Sequence, residues 1–131
     1  MKICPDTNCW IEGGLATGGR ARIFLVTIVL QELWAGARGA EERAYVERVH
    51  ALAWQQQRLL NPPTGAWTLS GQVLQVLARR GKFGPGRLRA LRNDVLLAAT
   101  AFVHGAAVMT SNTADFKRIA EVLPVRVVSA V

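Results

Sequence analysis

The sequence predicts a three-layer α/β fold, and three observations lead there. Short apolar runs such as Met1 to Cys4, Ile23 to Val26 and Ala107 to Met109 lack the polar alternation of a half-exposed strand. They read as strands buried on both faces. Segments with helical spacing of apolar residues separate these runs, so neighbouring strands need crossover connections, and the sheet is parallel with helices on both faces. Finally, the chain has 131 residues, 50% of them hydrophobic and 19% charged. That is enough apolar surface for one folded core and too little length for two, so residues 1–131 are expected to form a single domain.

Each element has its own signal. Met1 to Cys4 gives the first strand and runs into the turn cluster Pro5-Asp6-Thr7-Asn8. The Gly-rich stretch from Gly13-Gly14 through Gly18-Gly19 is too irregular for a phosphate loop, lacks the following Lys-Ser/Thr, and reads as a connecting loop. Ile23-Phe24-Leu25-Val26 is the second strand. Thr27 is a plausible N-cap for a helix carrying Val29, Leu30, Leu33, Trp34 and Ala37, broken by Gly36 and Gly39. A second helix runs from Glu41 to Trp54, and Arg58-Leu59-Leu60 forms a short strand before Asn61-Pro62-Pro63. Trp67 to Arg80 is helical. Beyond the Gly84-Pro85-Gly86 interruption another helix spans Leu88 to Val103, its latter half apolar nearly all round and therefore internal. Ala107 to Met109 is a strand, Thr113 to Glu121 a short helix, and Val125 to Val128 a final strand.

Composition excludes several classes. No apolar stretch reaches the roughly 18 residues of a membrane span, and the N-terminus has no signal-peptide pattern, so a cytoplasmic protein without a membrane partner is expected. Cys4 and Cys9 have neither a redox nor a zinc spacing and read as buried small hydrophobes. His50 and His104 have no neighbouring ligand-like partner and read as structural.

Sixteen basic residues against nine acidic ones give a formal charge of +7, and thirteen of the sixteen are arginines, whose planar fork suits phosphate oxygens. Arg79, Arg80, Lys82, Arg87, Arg89 and Arg92 cluster in a stretch free of acid until Asp94. A polyanion is the first suspicion; a merely solvated face, or a surface for an acidic protein, would use the same residues.

The acids divide into two groups. Glu42, Glu47 and Glu121 have cations three or four positions away, at Arg38, at Arg43, and at Lys117 and Arg118, which marks them as surface pairs. Glu32 has only Ile28, Val29, Ala35 and Gly36 at those positions. Asp94 has Ala90, Leu91, Leu97 and Ala98, where an unpaired carboxylate costs several kcal/mol unless something meets it; the alternative is that Asn93 or Asp94 caps a helix beginning at Val95. Asp6 follows the first strand at the carboxyl end, where open parallel sheets place ligands, although an Asx turn or N-cap explains it equally well. Asp115 makes a capping-box arrangement with Asn112 and has Arg118 as an i+3 partner, yet it also leaves a strand at that same edge. Were the four carboxylates to converge, they would repel and raise one another's pKa values unless a divalent cation neutralised them. Oxygen-only ligands suit Mg²⁺ or Mn²⁺.

Four segments occur in the order seen in PIN-domain proteins: Asp6-Thr7-Asn8 after a strand, Leu30-Gln31-Glu32-Leu33-Trp34-Ala35-Gly36-Ala37, Asn93-Asp94-Val95-Leu96-Leu97-Ala98-Ala99-Thr100-Ala101, and Thr110-Ser111-Asn112-Thr113-Ala114-Asp115-Phe116. Over nearly its whole length the sequence resembles the VapC-like toxins of that family. The resemblance implies a central sheet of five parallel strands and an acidic pocket of Asp6, Glu32, Asp94 and Asp115 holding Mg²⁺ or Mn²⁺, with Asp6 and Asp94 as main ligands. It also implies an endoribonuclease restrained by a co-expressed antitoxin, often as a homodimer. The segment between Asp6 and Thr27 is shorter and richer in glycine than in many relatives, and Asn112 stands where some carry an acid, leaving Asp115 as the fourth carboxylate.

The expected chemistry is metal-dependent hydrolysis of RNA phosphodiesters. Asp6, Asp94 and Asp115 bind metal, Glu32 orients or deprotonates the attacking water, and Asn8, Thr110 and Asn112 support the carboxylates or substrate. Arg87, Arg89 and Arg92 contact backbone phosphates. Two alternatives share these residues: a non-catalytic nucleic-acid-binding or partner-binding module, which leaves Glu32 and Asp94 unexplained, and a phosphatase of small substrates, which makes less use of the arginines.

Overall fold

The structure, a computed structural model, describes residues 1–13, 15, 22–81 and 83–130. In chain order its elements are β1 (Lys2–Pro5), α1 (Thr7–Glu12), β2 (Arg22–Ile23), β3 (Leu25–Val26), α2 (Thr27–Gly36), α3 (Ala40–Gln55), β4 (Leu59–Leu60), α4 (Thr64–Arg79), α5 (Pro85–Val103), β5 (Ala107–Thr110), α6 (Thr113–Val122) and β6 (Val127–Ser129). Most of the expected Gly-rich loop, and Lys82 of the basic cluster, lie outside the described residues.

The α/β class and its parallel sheet are as expected, but the strand count differs. Four strands pair in the order β2-β1-β5-β6, and β3 and β4 form a separate parallel pair. The cause lies in the run from Arg22 to Val26, which changes hydrogen-bond partner midway. The Phe24 N–H donates to the Ile3 carbonyl at 2.9 Å, whereas the Leu25 N–H donates to the Arg58 carbonyl at 2.8 Å. A single apolar run in the sequence thus serves two sheets. Within the larger sheet Cys4 lies beside Val108 and Thr110 beside Ser129.

Helix starts depart from expectation for local reasons. Thr27 is not the cap of α2 but its first residue, because the extended backbone is at Val26, with φ −84° and ψ 138°. The break between α4 and α5 falls beside Gly84-Pro85-Gly86 as expected, but α5 starts at Pro85 and not at Leu88, with Gly84 as N-cap and Pro85 in the first turn, where its missing N–H has no partner to lose. The turn cluster after β1 is a six-residue helix, α1, too short to leave a periodic signal. α5 is buried from Val95 to Ala101, as its all-round apolar composition requires. It packs on α4 and on β1 and β5, and Leu97, Val95, Phe116, Ile119 and Val108 close the core around it. Among the described residues no helix is long and apolar enough to cross a membrane.

Candidate active site

The site forms where β1 and β5 lie side by side and the chain leaves them in opposite directions, the switch point at which parallel sheets open a crevice. Asp6 stands just beyond β1, its N–H still donating to the Met109 carbonyl at 2.9 Å, so strand pairing fixes its backbone. Its carboxylate is buried and divided between two tasks. Oδ1 accepts the Cys9 N–H at 3.1 Å and caps α1, while Oδ2 accepts the Thr110 hydroxyl at 2.6 Å. Cap and pocket residue are therefore one group. Thr110, fully buried, in turn accepts the Asn112 N–H at 2.9 Å on its hydroxyl oxygen.

Glu32, without partners on its own helix, finds them elsewhere. Oε1 accepts the Thr7 hydroxyl at 2.6 Å, and Oε2 accepts the Asn93 amide Nδ2 at 3.2 Å. These bonds tie α2 to α1 and α5. Asn93 and Asp94 lie well inside α5, which begins at Pro85, so neither is a cap. The Asp94 carboxyl is pushed up from an ordinary 3.8 to about 7. Burial is the largest cause, followed by the charges of Glu32, Asp6 and Asp115, with Arg87 pulling the other way. The charges of residues 6, 32 and 115 thus all bear on Asp94. Asp115, buried on α6, accepts Arg87 Nη2 on Oδ1 at 2.5 Å and Asn112 Nδ2 on Oδ2 at 2.9 Å.

Several expected contacts are arranged differently. Asp115 pairs with Arg87 and not with Arg118, whose guanidinium lies over the Phe83 ring, 5.6 Å from its centroid. The side chain of Asn112 bonds Asp115 and caps no backbone N–H. Glu121 pairs with Arg80 at 3.5 Å rather than with Lys117 or Arg118. Asn8 is exposed and bonds none of the carboxylates; its neighbour Thr7 does. Arg89 and Arg92 are exposed, while Arg87 is committed to Asp115. Thr7 and Asn93 are the residues that sequence reasoning passed over, although each adjoins a carboxylate it had singled out.

The donor set facing Asp94 is all oxygen, which suits Mg²⁺ or Mn²⁺ and not zinc. Among the described residues, however, no group of three acidic, histidine or cysteine side chains is drawn together closely enough to hold a metal ion. In this arrangement Arg87 is the cation beside Asp115. Cys9 adjoins the site without entering its chemistry: burial pushes its thiol, and that of Cys4, up to about 12, so both stay protonated.

Residues 3–122 match the model of the PIN domain family, and the chain belongs to that family. Within it, the chain is VapC-like in fold: it resembles chains of solved VapBC complexes from end to end. A DNA-bound VapBC from Salmonella typhimurium is 25% identical, with a TM-score of 0.71 and 98% of both chains covered. VapBC2 from Rickettsia felis, bound to a fragment of its promoter, is 18% identical with a TM-score of 0.70, again over 98% of both chains. VapBC-5 from Mycobacterium tuberculosis, of the VapBC family of toxin-antitoxin systems, is 20% identical with a TM-score of 0.68 and the same coverage. A comparison with curated protein sequences finds no match.

Proposed function

We propose that the chain is a divalent-metal-dependent endoribonuclease, acting in the cytoplasm as the toxin of a type II toxin-antitoxin pair. One observation carries the reading: the pKa of Asp94, a carboxyl at the head of the apolar half of α5, is raised to about 7 first by burial and then by the charges of Glu32, Asp6 and Asp115. Such an arrangement costs stability in the free protein and makes sense for a group that meets a cation.

Asp6 and Asp94 would hold Mg²⁺ or Mn²⁺, with Asp115 completing the shell or a second position. When bound, the ion neutralises the carboxylates and polarises a phosphoryl oxygen. Glu32 is held by a hydrogen bond on each oxygen, and each oxygen keeps a lone pair with which to orient a water and take its proton. Thr110 and Asn112 keep Asp6 and Asp115 in place. Arg87, Arg89 and Arg92 meet backbone phosphates, Arg87 exchanging Asp115 for the substrate. An open crevice fits single-stranded or looped RNA better than duplex.

The toxin role and an antitoxin partner draw on the likeness to VapBC chains; a homodimer is part of the same proposal. A recess of about 300 Å³, lined by apolar Ile11, Leu33, Ala37, Tyr45 and Val46 together with Glu41 and Glu42, offers a surface for a protein partner. The exposed Trp34 and Trp54 are further anchors.

The test is purified protein incubated with structured RNA. Cleavage should require Mg²⁺ or Mn²⁺, stop with chelator and vanish in Asp94→Asn while the fold persists; equal cleavage by that variant contradicts the proposal. The second reading, a binding module without catalysis, draws on the ion pair that Arg87 makes with Asp115. Chelator-insensitive RNA binding with no cut products would favour it.

A further inference from the structure

Beside the acidic site, between α4 and α5, lies a recess of about 330 Å³ lined by Ile28, Trp67, Ser70, Gly71, Arg92 and Asn93. We infer that this recess seats one unpaired RNA base next to the phosphodiester held at the carboxylates, with Trp67 as the stacking surface. The inference rests on the ribonuclease reading above for the position of that phosphodiester, but not for the recess itself.

Position is the first argument. Asn93 belongs to both places, since its amide donates to Glu32 while the residue lines the recess. Ile28, also on the lining, lies four residues before Glu32 on α2, about 6 Å along the helix axis. A nucleotide whose phosphate sits at the carboxylates has its base within reach of a recess at that distance.

Chemistry is the second. Trp67 is 59% exposed, a flat apolar surface left in water in the first turn of α4. An indole stacks on any base, because every base has a π-face. Arg92 is exposed on the same lining and carries a guanidinium that suits a base edge or its flanking phosphate. The Ser70 hydroxyl makes no hydrogen bond to another described residue, which leaves a donor and acceptor for a base edge. Gly71 leaves the wall bare: a Cβ added there meets no atom within 4 Å. Leu74 and Leu96 complete an apolar lining, and the aromatic face, cation and small polar group set on it match the flat face and polar edge of a base.

The experiment uses the full chain. In the Asp94→Asn background, a short single-stranded oligoribonucleotide should quench tryptophan emission, and Trp67→Phe should abolish most of that quenching while keeping the affinity. Trp67→Ala removes the stacking surface and Gly71→Leu fills the recess; each should weaken binding on the order of tenfold. In the Asp94-containing chain, Trp67→Ala should change the base preferred beside the cut while cleavage itself continues. Cleavage by the parent with unchanged affinity and base preference in both Trp67→Ala and Gly71→Leu overturns the base seat and leaves the nuclease reading intact. Absence of cleavage, with Trp67-dependent quenching preserved, overturns the nuclease reading and supports the seat. Absence of both overturns both.

Discussion

Replacing Asp94 with asparagine should stabilise the metal-free protein at neutral pH and abolish its activity. The size of the effect follows from the raised carboxyl. Its folded pKa of about 7 against an ordinary 3.8 means that the folded state holds this proton more tightly than the unfolded one. Below about pH 4 both states are protonated and no penalty exists; as pH rises from there through about 7 the unfolded state loses the proton first, and stability falls. At about 1.4 kcal/mol per pKa unit the full penalty at pH 8 is on the order of 4 kcal/mol. Asparagine keeps the shape and the hydrogen-bonding capacity but never ionises. Urea unfolding in chelator, followed from pH 4 to pH 8, should show parent and Asp94→Asn with similar midpoints at the acid end. The variant should draw ahead as pH rises, by roughly 1 M urea or more at pH 8. Adding Mg²⁺ at pH 8 should narrow the gap by stabilising the parent alone. Parallel curves across the whole pH range would refute the reasoning, because Asp94 would then carry no cost of burial or repulsion for a cation to relieve.

Other outcomes follow from the same geometry. Thr110→Val removes the donor from a buried Asp6 oxygen at nearly constant volume, and thermal unfolding should register a loss of about 1–3 kcal/mol; a change below 0.5 kcal/mol, about the size of an ordinary surface substitution, contradicts that bond's role. Arg87→Gln removes the cation beside Asp115, so calorimetric titration should find tighter Mn²⁺ binding, while the salt dependence of RNA binding should lose about one unit of slope. Leu97→Ala in the buried span of α5 should cost about 2–5 kcal/mol by chemical denaturation. Cys4 and Cys9, held protonated by burial, should resist alkylation at pH 8 until the chain unfolds, which mass spectrometry of the labelled protein would show.

How far the sequence was legible depends on how local each signal was. The all-round apolar run ending α5 could be read directly, because only an interior helix tolerates it, and the structure buries it. The four carboxylates stood out for the lack of local partners at Glu32 and Asp94, and the structure sets Asp94 among the charges of the other three. What the sequence withheld were pairings across long separations. Nothing around Phe24 announces that its N–H and that of Leu25 serve different strands. Nothing near Glu32 indicates Asn93, 61 positions away. Arg87 looked like one phosphate-binding arginine among several, because its partner Asp115 arrives on a different helix with a nearer arginine, Arg118, apparently available. Asn8, expected to support the carboxylates, is exposed, and Thr7 bonds Glu32 instead, because the first turn of a six-residue helix sets which of the two side chains faces the site.

A crystal of the protein grown with Mn²⁺, with the ion located by its anomalous scattering, tests the central claim most directly. The account predicts an ion at the carboxyl ends of β1 and β5, bound by oxygens of Asp6 and Asp94 at about 2.1 Å. An ion bound elsewhere, or none there at saturating Mn²⁺, would contradict it.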